Sequence, residues 1–246
     1  DKKVKKAQKP IQKVSEEGEG PVSVMTTSGH QINCDAVLCT VPLGVLQEGG
    51  LQFSPALPSW KQECLSRVGN GVINKVCVEF PTPFWDVEVD FFGQTAAHAE
   101  DRGAFFLIWS LFRVTGQPVL MALTVGEAAR KLEKLDDHAV VEQLMLVLRK
   151  MFKEVPAPTG SHVTRWGSDQ YALGAYSYMK VGGKGGVDYD VLSEPLGRQI
   201  FFAGEGTCRE HPATAAGAFL TGLREAYRMD SVLRGGTPVL VKDVGE

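Results

Sequence analysis

Phe201–Ala226, with the sequence FFAGEGTCREHPATAAGAFLTGLREA, predicts the strand-turn-helix unit around which the fold is organised. The apolar run Ile200–Ala203 is typical of a buried strand in a parallel sheet. It stops at the glycine-rich turn Gly204–Gly206, and a polar loop then leads to Pro212 and a series of small residues. Proline ahead of small residues suits the first turn of a helix. Such a start lets a flat or charged ligand approach the backbone amides closely, because few side chains stand in the way.

Glu205 occupies the C-terminal end of this predicted strand. In an open α/β sheet that end faces the ligand crevice, where a carboxylate can bind a ribose or ribityl hydroxyl. The helix that follows has one apolar stripe at helical spacing, formed by Phe219, Leu220, Leu223, Ala226 and Tyr227. An ordinary βα unit with glycines for tight packing explains the same residues, and the stretch alone leaves both interpretations open.

The composition is that of a globular chain. Its 246 residues carry a net charge of −3, which does not indicate nucleic acid as a partner. No apolar run reaches the roughly 18 residues of a membrane span, and no apolar core of a signal peptide is present. The five cysteines are scattered without a C-x-x-C pair, which argues against a zinc site and a disulfide framework. We therefore expect no metal, no membrane attachment and a reducing compartment.

A lysine occupies the middle of the predicted strand Gly71–Phe80. Alternation places Lys75 on one face with Ile73, Cys77 and Glu79, and places Val72, Asn74, Val76 and Val78 on the other. A lysine at such a position is ordinarily a solvated edge charge. Because a buried charge is costly unless something uses it, a functional lysine is the alternative.

The other elements follow from periodicity and turn residues. We predict a β-hairpin over Val22–Cys34, a buried strand in Asp35–Leu46, and a strand that is central in its sheet over Phe105–Phe112. A helix capped by Asp136 or Asp137 is predicted to run through Phe152.

Several motifs together resemble one known family. FFAGE-x-T followed by PAT-xx-GA and REA resembles the C-terminal flavin-binding motif of the flavin-dependent amine oxidases, and is most similar to the lysine-specific histone demethylase branch. DAVLCTVPLGVL, PFWD and RW-xx-D-xxxx-G-x-YSY recur in the family's order. Tyr171 stands where the demethylases usually have tryptophan, so the match is incomplete at one point of the substrate wall.

The resemblance implies roles for individual residues. Lys75 corresponds to the family's active-site lysine, which holds a water at flavin N5. Trp109, Trp166 and Tyr176 would form an aromatic wall, which suits an alkylated ammonium. Ala213 would also lie at the substrate. FAD would be bound by Glu205, Gly204, Thr214, Ala215 and Pro42, with Thr214 and Ala215 presenting helix-start amides.

The resemblance also implies a fold and a division of the chain. We expect an α/β flavoprotein with an FAD-binding part in residues 1–46 and 190–246 and a mixed-sheet substrate-binding part in residues 47–189. No G-x-G-x-x-G lies between a strand and a helix, since Gly69–Gly71 and Gly182–Gly186 lack that context. We therefore expect the N-terminal dinucleotide-binding βαβ unit to be missing and the chain to be the C-terminal portion of a longer protein.

The implied function is FAD-dependent oxidation of the methylated lysine of a histone tail, with hydride transfer to flavin and reoxidation by O₂ to H₂O₂. The location would be the nucleus, with cytoplasm or peroxisome as alternatives, and chromatin corepressors would bind through regions outside this chain. A polyamine oxidase is the alternative within the family. A truncated, non-catalytic structural or interaction module is the alternative from another class.

Overall fold

A computed structural model describes residues 11–15 and 20–237, which form two compact units. Unit 1 contains the described residues of Asp1–Asn70, Gln170–Ala172 and Tyr176–Glu246, and unit 2 contains Gly71–Asp169 and Leu173–Ala175. The chain therefore leaves unit 1, builds unit 2 and returns. The division into FAD-binding and substrate-binding parts at residues 46/47 and 189/190 stays a prediction.

The described strands are, in chain order, β1 (Ile11–Ser15), β2 (Val22–Thr26), β3 (Gln31–Cys34), β4 (Val37–Cys39), β5 (Gln52–Ser54), β6 (Val68–Gly71), β7 (Ile73–Glu79), β8 (Phe91–Gly93), β9 (Leu107–Ser110), β10 (Val119–Val125), β11 (Gly160–Val163), β12 (Tyr176–Met179) and β13 (Ile200–Phe202). The helices are α1 (Leu43–Gln47), α2 (Ser59–Arg67), α3 (Phe112–Thr115), α4 (Gly126–Leu132), α5 (Asp137–Met151), α6 (Gly186–Ser193) and α7 (Ala215–Leu233), and short 3-10 helices cover Ala99–Asp101 and Glu205–Thr207.

Unit 1 contains two parallel strand pairs, β13 with β4 and β1 with β5, and the first of them organises the predicted cofactor residues. β13 pairs with β4 in parallel, with Ile200, Phe201 and Phe202 opposite Val37, Leu38 and Cys39. All three β13 residues are buried, as the apolar run predicted. A second sheet has the order β3-β2-β1-β5, in which β2 and β3 form the predicted hairpin.

Unit 2 is a five-stranded sheet covered by a helix on one face. The strand order is β11-β7-β10-β9-β8. The strand β9 of the Phe105–Phe112 segment is therefore an interior strand, as predicted, paired with β10 on one side and with the edge strand β8 on the other, while β10 is the middle strand. The inner face contributes Val76, Val78, Ile108, Leu120 and Ala122 to the core, where they meet the apolar side of α5. Asp136 caps α5 by accepting a hydrogen bond from the Ala139 N–H at 2.8 Å, which decides between the two predicted caps.

Helix α7 turns its apolar stripe away from the core of unit 1. Phe219 and Tyr227 are 66% and 72% exposed, and Leu220 and Leu223 on the same side are also exposed. An amphipathic helix ordinarily buries such a stripe. The side of α7 that unit 1 buries carries Gly217, Thr221, Glu225, Arg228 and Val232 instead.

A charged cluster fastens this polar side of α7. The fully buried Glu225 accepts hydrogen bonds on Oε1 from Arg228 Nη1 at 2.8 Å and from Arg224 Nε at 2.5 Å. Arg228 also donates to the Ser193 carbonyl at 3.2 Å, and Arg224 donates to the Phe202 carbonyl at 3.2 Å. These bonds connect α7 to the end of α6 and to β13. Burial nevertheless raises the pKa of Glu225.

Lys61 joins α2 to the C-terminus of α6. Its ammonium donates to the Leu192 and Glu194 carbonyls at 2.8 Å and to the Val191 carbonyl at 3.2 Å, and it lies 4.0 Å from the Phe202 ring centroid. Carbonyls at a helix end lack the regular i+4 donor, and Lys61 supplies a donor to these three, of which the Val191 carbonyl also accepts from the Glu194 N–H at 3.3 Å. Burial lowers the pKa of Lys61 to about 7.

We predict that the stripe of α7 contributes little to the stability of the isolated chain, whereas its polar side contributes much. Leu223→Gln should change the free energy of unfolding by less than about 0.5 kcal/mol, as surface substitutions do. Arg228→Met should cost about 3 kcal/mol, because it removes one partner of a buried ion pair. Urea denaturation of both variants measures this difference. A larger loss in Leu223→Gln than in Arg228→Met would contradict the orientation of α7.

We predict a pH-dependent contribution from Lys61. The unfolded chain holds this proton up to a pKa near 10.5 and the fold only up to about 7, so the unfolded state binds more protons in between. Stability should therefore rise with pH above 7, by at most about 1.4 kcal/mol per pH unit, and Lys61→Met should lack this slope.

Urea titrations between about pH 7 and 8.5 test the Lys61 prediction. In the folded chain the neighbouring thiols stay protonated in that window, because burial raises the pKa of Cys39 to about 11 and that of Cys64 to about 12. In the unfolded chain these thiols begin to titrate towards their ordinary pKa of 9.0 in wild type and in Lys61→Met alike, so the difference between the two slopes reports Lys61. Lys131→Met, on an exposed position of α4, is the matched control. Equal slopes for wild type and Lys61→Met would refute the assignment.

Candidate active site

The parallel pairing in unit 1 brings two predicted cofactor positions to one edge. β13 is followed by Gly204 and Glu205, and β4 is followed, after two residues, by Pro42, which caps α1. Since the C-terminal ends of parallel strands meet at the same edge of a sheet, Pro42, Gly204 and Glu205 share that edge. Gly204 has φ of 127°, a conformation that residues with a side chain rarely adopt.

The Glu205 carboxylate is held in place by two residues of unit 1. Oε1 accepts from the Ser177 N–H at 3.0 Å, and Oε2 accepts from the Ser177 hydroxyl at 2.6 Å and from the Ala213 N–H at 2.7 Å. Ser177 is buried, and the Tyr189 hydroxyl lies 3.3 Å from its Oγ. A carboxylate has about four acceptor directions, so these three bonds leave room for one more donor.

The start of α7 beside Glu205 is nearly free of side-chain bulk. Thr214 caps the helix by accepting from the Gly217 N–H at 2.9 Å, and the first helical residues Ala215 and Ala216 are exposed. Their N–H groups have no carbonyl partner inside the helix. Gly217 allows this loop to close, since a Cβ there would lie 2.0 Å from the His211 carbonyl oxygen.

Ala213 has a left-handed backbone at this junction. Its φ is 60°, which is uncommon for a residue with a Cβ and carries a local energetic cost. This conformation presents its N–H to Glu205 Oε2. Such strain occurs preferentially at functional sites.

These residues fit a flavin nucleotide. One acceptor direction of Glu205 remains for a sugar-chain hydroxyl, the helix-start amides of Ala215 and Ala216 suit an anionic or electron-rich group, and no bulky side chain covers them. The residues that sequence reasoning assigned to FAD therefore meet the chemical requirements of that group. Ser177, which orients Glu205, lies in the YSY motif, in which the resemblance implies a role for Tyr176 only.

Lys75 lies on the outer face of the five-stranded sheet of unit 2. The alternation along β7 is confirmed: Asn74, Val76 and Val78 are buried and Lys75 is exposed. Because Lys75 is exposed, the energetic cost of burying a charge is no argument for a functional role of this lysine. Its backbone is fixed on one side, because the Lys75 N–H donates to Thr164 Oγ1 at 2.8 Å and the Thr164 N–H donates to the Lys75 carbonyl at 3.0 Å.

Trp109 shares that sheet face with Lys75. In the strand register Trp109 is opposite Met121, which is opposite Cys77, and Leu123 is opposite Lys75 in the neighbouring row. Directly opposed residues of an antiparallel pair point to the same face. Trp109 is 43% exposed, and this face of unit 2 also carries the polar side chains of Glu79 and His162 besides Lys75.

Trp166 follows β11 in the same unit and is held through its backbone. It is 44% exposed, and its N–H donates to Asn74 Oδ1 at 2.9 Å. Tyr176 belongs to β12 of unit 1 and is half-buried. The predicted aromatic wall is thus divided between the two units, and a common cavity formed by Trp109, Trp166 and Tyr176 stays a prediction.

Other kinds of site are not found in the part of the chain that the structure describes. Residues 11–15 and 20–237 include no group of three or more His, Cys, Asp or Glu side chains that could hold a metal ion, and all five cysteines are free. No helix within these residues is long and apolar enough to cross a bilayer. A cavity of about 690 Å³ in unit 1 is lined by residues of α1, β5 and α2 and by none of the predicted site residues.

Comparison with known proteins identifies the family. The family model of flavin containing amine oxidoreductases matches residues 6–230. Lysine-specific histone demethylase 1 homolog 3 of Arabidopsis thaliana is 49% identical over 217 residues, which are 87% of this chain and 13% of that protein. Lysine-specific histone demethylase 1 homolog 1 of Oryza sativa subsp. japonica is 47% identical over 208 residues, which are 83% of this chain and 24% of that protein.

A solved structure shows the same fold. A putrescine oxidase variant with redesigned cofactor binding superposes with a TM-score of 0.73 at 20% identity, over 92% of this chain and 48% of that one. The predicted amine oxidase fold is thereby confirmed for the part that this chain covers. The chain spans a quarter or less of these two curated relatives and about half of the structural neighbour. By the match of the family model over nearly its whole length, the chain belongs to the flavin containing amine oxidoreductases.

Proposed function

We propose that this chain is part of an FAD-dependent amine oxidase that demethylates a lysine of a histone. The observation that carries the proposal is Glu205 at the end of a buried parallel strand, oriented by Ser177 and Ala213 beside an uncovered helix start. The identity of 44–49% to several lysine-specific histone demethylase 1 homologs supports a methylated lysine over a polyamine. A nuclear location, a histone tail as partner, and corepressor binding through regions outside this chain belong to the same proposal.

FAD, when bound, supplies the two-electron oxidation of the amine, with O₂ as the final acceptor and H₂O₂ as the product. The chain's own residues bind and orient. Glu205 would accept a hydrogen bond from a sugar-chain hydroxyl, and Thr214 and Ala215 would offer helix-start amides. Gly204 and Pro42 at the same sheet edge would leave the backbone open to the cofactor.

The substrate would meet the aromatic and apolar residues. Trp109 and Trp166 of unit 2 and Tyr176 of unit 1 would surround the alkylated nitrogen, whose cation interacts with π faces. An apolar surround also disfavours the cation and so promotes the neutral amine that can be oxidised. Lys75 would hold a water near the reacting atoms, and Ala213 would lie at the substrate's edge.

We predict that Glu205→Gln weakens flavin retention. The charged hydrogen bond to a hydroxyl contributes roughly 1.5–3 kcal/mol, so the Kd for FAD should rise about 10- to 100-fold in the complete protein. Fluorescence titration with FAD measures the constant, and Glu210→Gln on the same exposed loop is the control. An unchanged Kd for FAD in Glu205→Gln would refute the assignment of the Glu205 carboxylate to the cofactor site.

We predict that Lys75→Met slows turnover without loss of fold or flavin. In rapid-mixing absorbance experiments, flavin reduction by a methyl-lysine peptide and reoxidation by O₂ are followed separately, and at least one step should slow about 100-fold, as general acid–base groups contribute. Lys131→Met is the matched control on the surface of unit 2. If both steps keep their rates, Lys75 is a solvated strand lysine.

One substrate comparison tests the proposed function as a whole. A monomethyl-lysine histone peptide and spermine are offered to the complete, flavin-loaded protein, and H₂O₂ is measured. We expect peroxide with the peptide. Peroxide with spermine only would replace the demethylase by a polyamine oxidase. If the complete protein retains no flavin, the alternative of a non-catalytic interaction module would replace the proposed enzyme.

A further inference from the structure

The inner face of β7 contains one polar side chain in an apolar row. Asn74 is 3% exposed and stands between Val72 and Val76, both buried. A buried amide without hydrogen-bond partners would destabilise the fold, so the hydrogen bonds of Asn74 must explain why an amide is tolerated at this position. Its side chain points to the opposite face from Lys75, which precludes direct contact with a substrate on the Lys75 face.

Each end of the Asn74 amide has a partner. Nδ2 donates to Glu133 Oε1 at 2.6 Å, while Oδ1 accepts from the Trp166 N–H at 2.9 Å and from the Thr164 hydroxyl at 3.2 Å. Because the backbone N–H can only donate and the carboxylate only accept, the orientation of the amide is determined by these partners.

Glu133 extends the network to the next residue. Its Oε1 also accepts from the Gly167 N–H at 2.8 Å. A Cβ at Gly167 would lie 2.8 Å from both carboxylate oxygens, so only glycine allows this approach. The pair of Asn74 and Glu133 thus binds the backbone of residues 166 and 167, just beyond the end of β11.

The network also reaches Lys75 by way of Thr164. The Lys75 N–H donates to Thr164 Oγ1, and the Thr164 hydroxyl donates to Asn74 Oδ1. β11 ends at Val163, so regular strand pairing with β7 stops there. Beyond Val163 the backbone bond from the Thr164 N–H to the Lys75 carbonyl and the side-chain bonds of Asn74 and Thr164 continue the connection, and they fix the Trp166 backbone relative to Lys75 within unit 2.

We infer that Asn74 and Glu133 are positioning residues of the amine site: their hydrogen bond holds the Trp166 backbone and, through Thr164, the Lys75 backbone in one arrangement. The inference rests on the proposed function for the meaning of Trp166 and Lys75, while the network itself is independent of it. Neither residue would touch substrate or cofactor, and both would act through backbone groups of other residues.

An exchange of polarity tests the pair. Asn74→Asp places the new carboxylate against that of Glu133, and the two repel each other unless one takes a proton. Glu133→Gln alone keeps an acceptor for Asn74 Nδ2 and for Gly167. In the double variant Asn74→Asp with Glu133→Gln, the new amide donates to the new carboxylate, and the bonds to Trp166 and Thr164 are regained. Val140→Ala, in the core of α5 and fully buried, is a destabilised control outside the network.

The first readout needs neither flavin nor activity. The chain has four tryptophans, so 5-fluorotryptophan labelling gives four ¹⁹F resonances, which single Trp→Phe variants assign. In Asn74→Asp the Trp166 resonance should shift or broaden while that of Trp60 in unit 1 stays, and the double variant should return it toward its wild-type position. Val140→Ala should leave it in place. An unmoved Trp166 resonance in Asn74→Asp, or one that Val140→Ala moves equally, overturns the inference.

The second readout uses the complete, flavin-loaded protein. Asn74→Asp should lower kcat/KM for the monomethyl-lysine peptide about 10- to 100-fold, since small misplacements of positioning groups have effects of that size, and the double variant should recover most of it. Val140→Ala at the same fraction folded should stay near wild type. Failure of the double variant to recover rate, although it recovers the resonance, would overturn the catalytic meaning of the network. A wild type that oxidises neither amine would refute the proposed function, and the ¹⁹F result would still decide the network.

Discussion

The parallel pairing of β13 with β4 is the contact on which unit 1 depends. Three residues near position 200 lie against three residues near position 38, and nothing local in the sequence brings them together. The pairing sets the edge at which Glu205 and Pro42 emerge, and it supplies the base on which the start of α7 is placed. Lys61 reinforces it, since its ammonium touches the Phe202 ring and caps the C-terminus of α6. Without the pairing of β13 with β4, nothing would hold the residues assigned to the flavin at one edge of the sheet.

Helix α7 shows how a helix can be anchored by charge and still leave its apolar side outward. Glu225 and Arg228 lie on its buried side, where pairing through Glu225 Oε1 offsets part of the cost of burying the two charges, while Glu225 Oε2 has no hydrogen-bond partner. Phe219, Leu223 and Tyr227 lie exposed on the other side. An exposed apolar stripe of this extent is unusual and ordinarily marks an interaction surface.

Much of the fold could be predicted because the signals were local. Alternation along β7 and the cap at Asp136 depend on residues within a few positions of one another, and both were found. The face of α7 could not be predicted, because periodicity reveals a stripe but does not say what it packs against. Ser177 as the partner of Glu205, and Glu133 as the partner of Asn74, were missed for a related reason. These pairs are 28 and 59 residues apart, and single serines and glutamates are too common to indicate a contact across such distances.

The interleaving of the two units determines the order in which the chain can complete its fold during synthesis. Unit 2 is almost continuous in sequence, and its ends are joined by a hydrogen bond from the Ala175 N–H to the Gly71 carbonyl at 2.7 Å. It can therefore assemble while the remainder is still on the ribosome. β4 has to wait for β13, which at 5–20 residues per second arrives on the order of ten to thirty seconds later. During that interval the nascent chain carries an unmatched strand edge, which makes it a natural client for chaperones that bind apolar segments as they emerge.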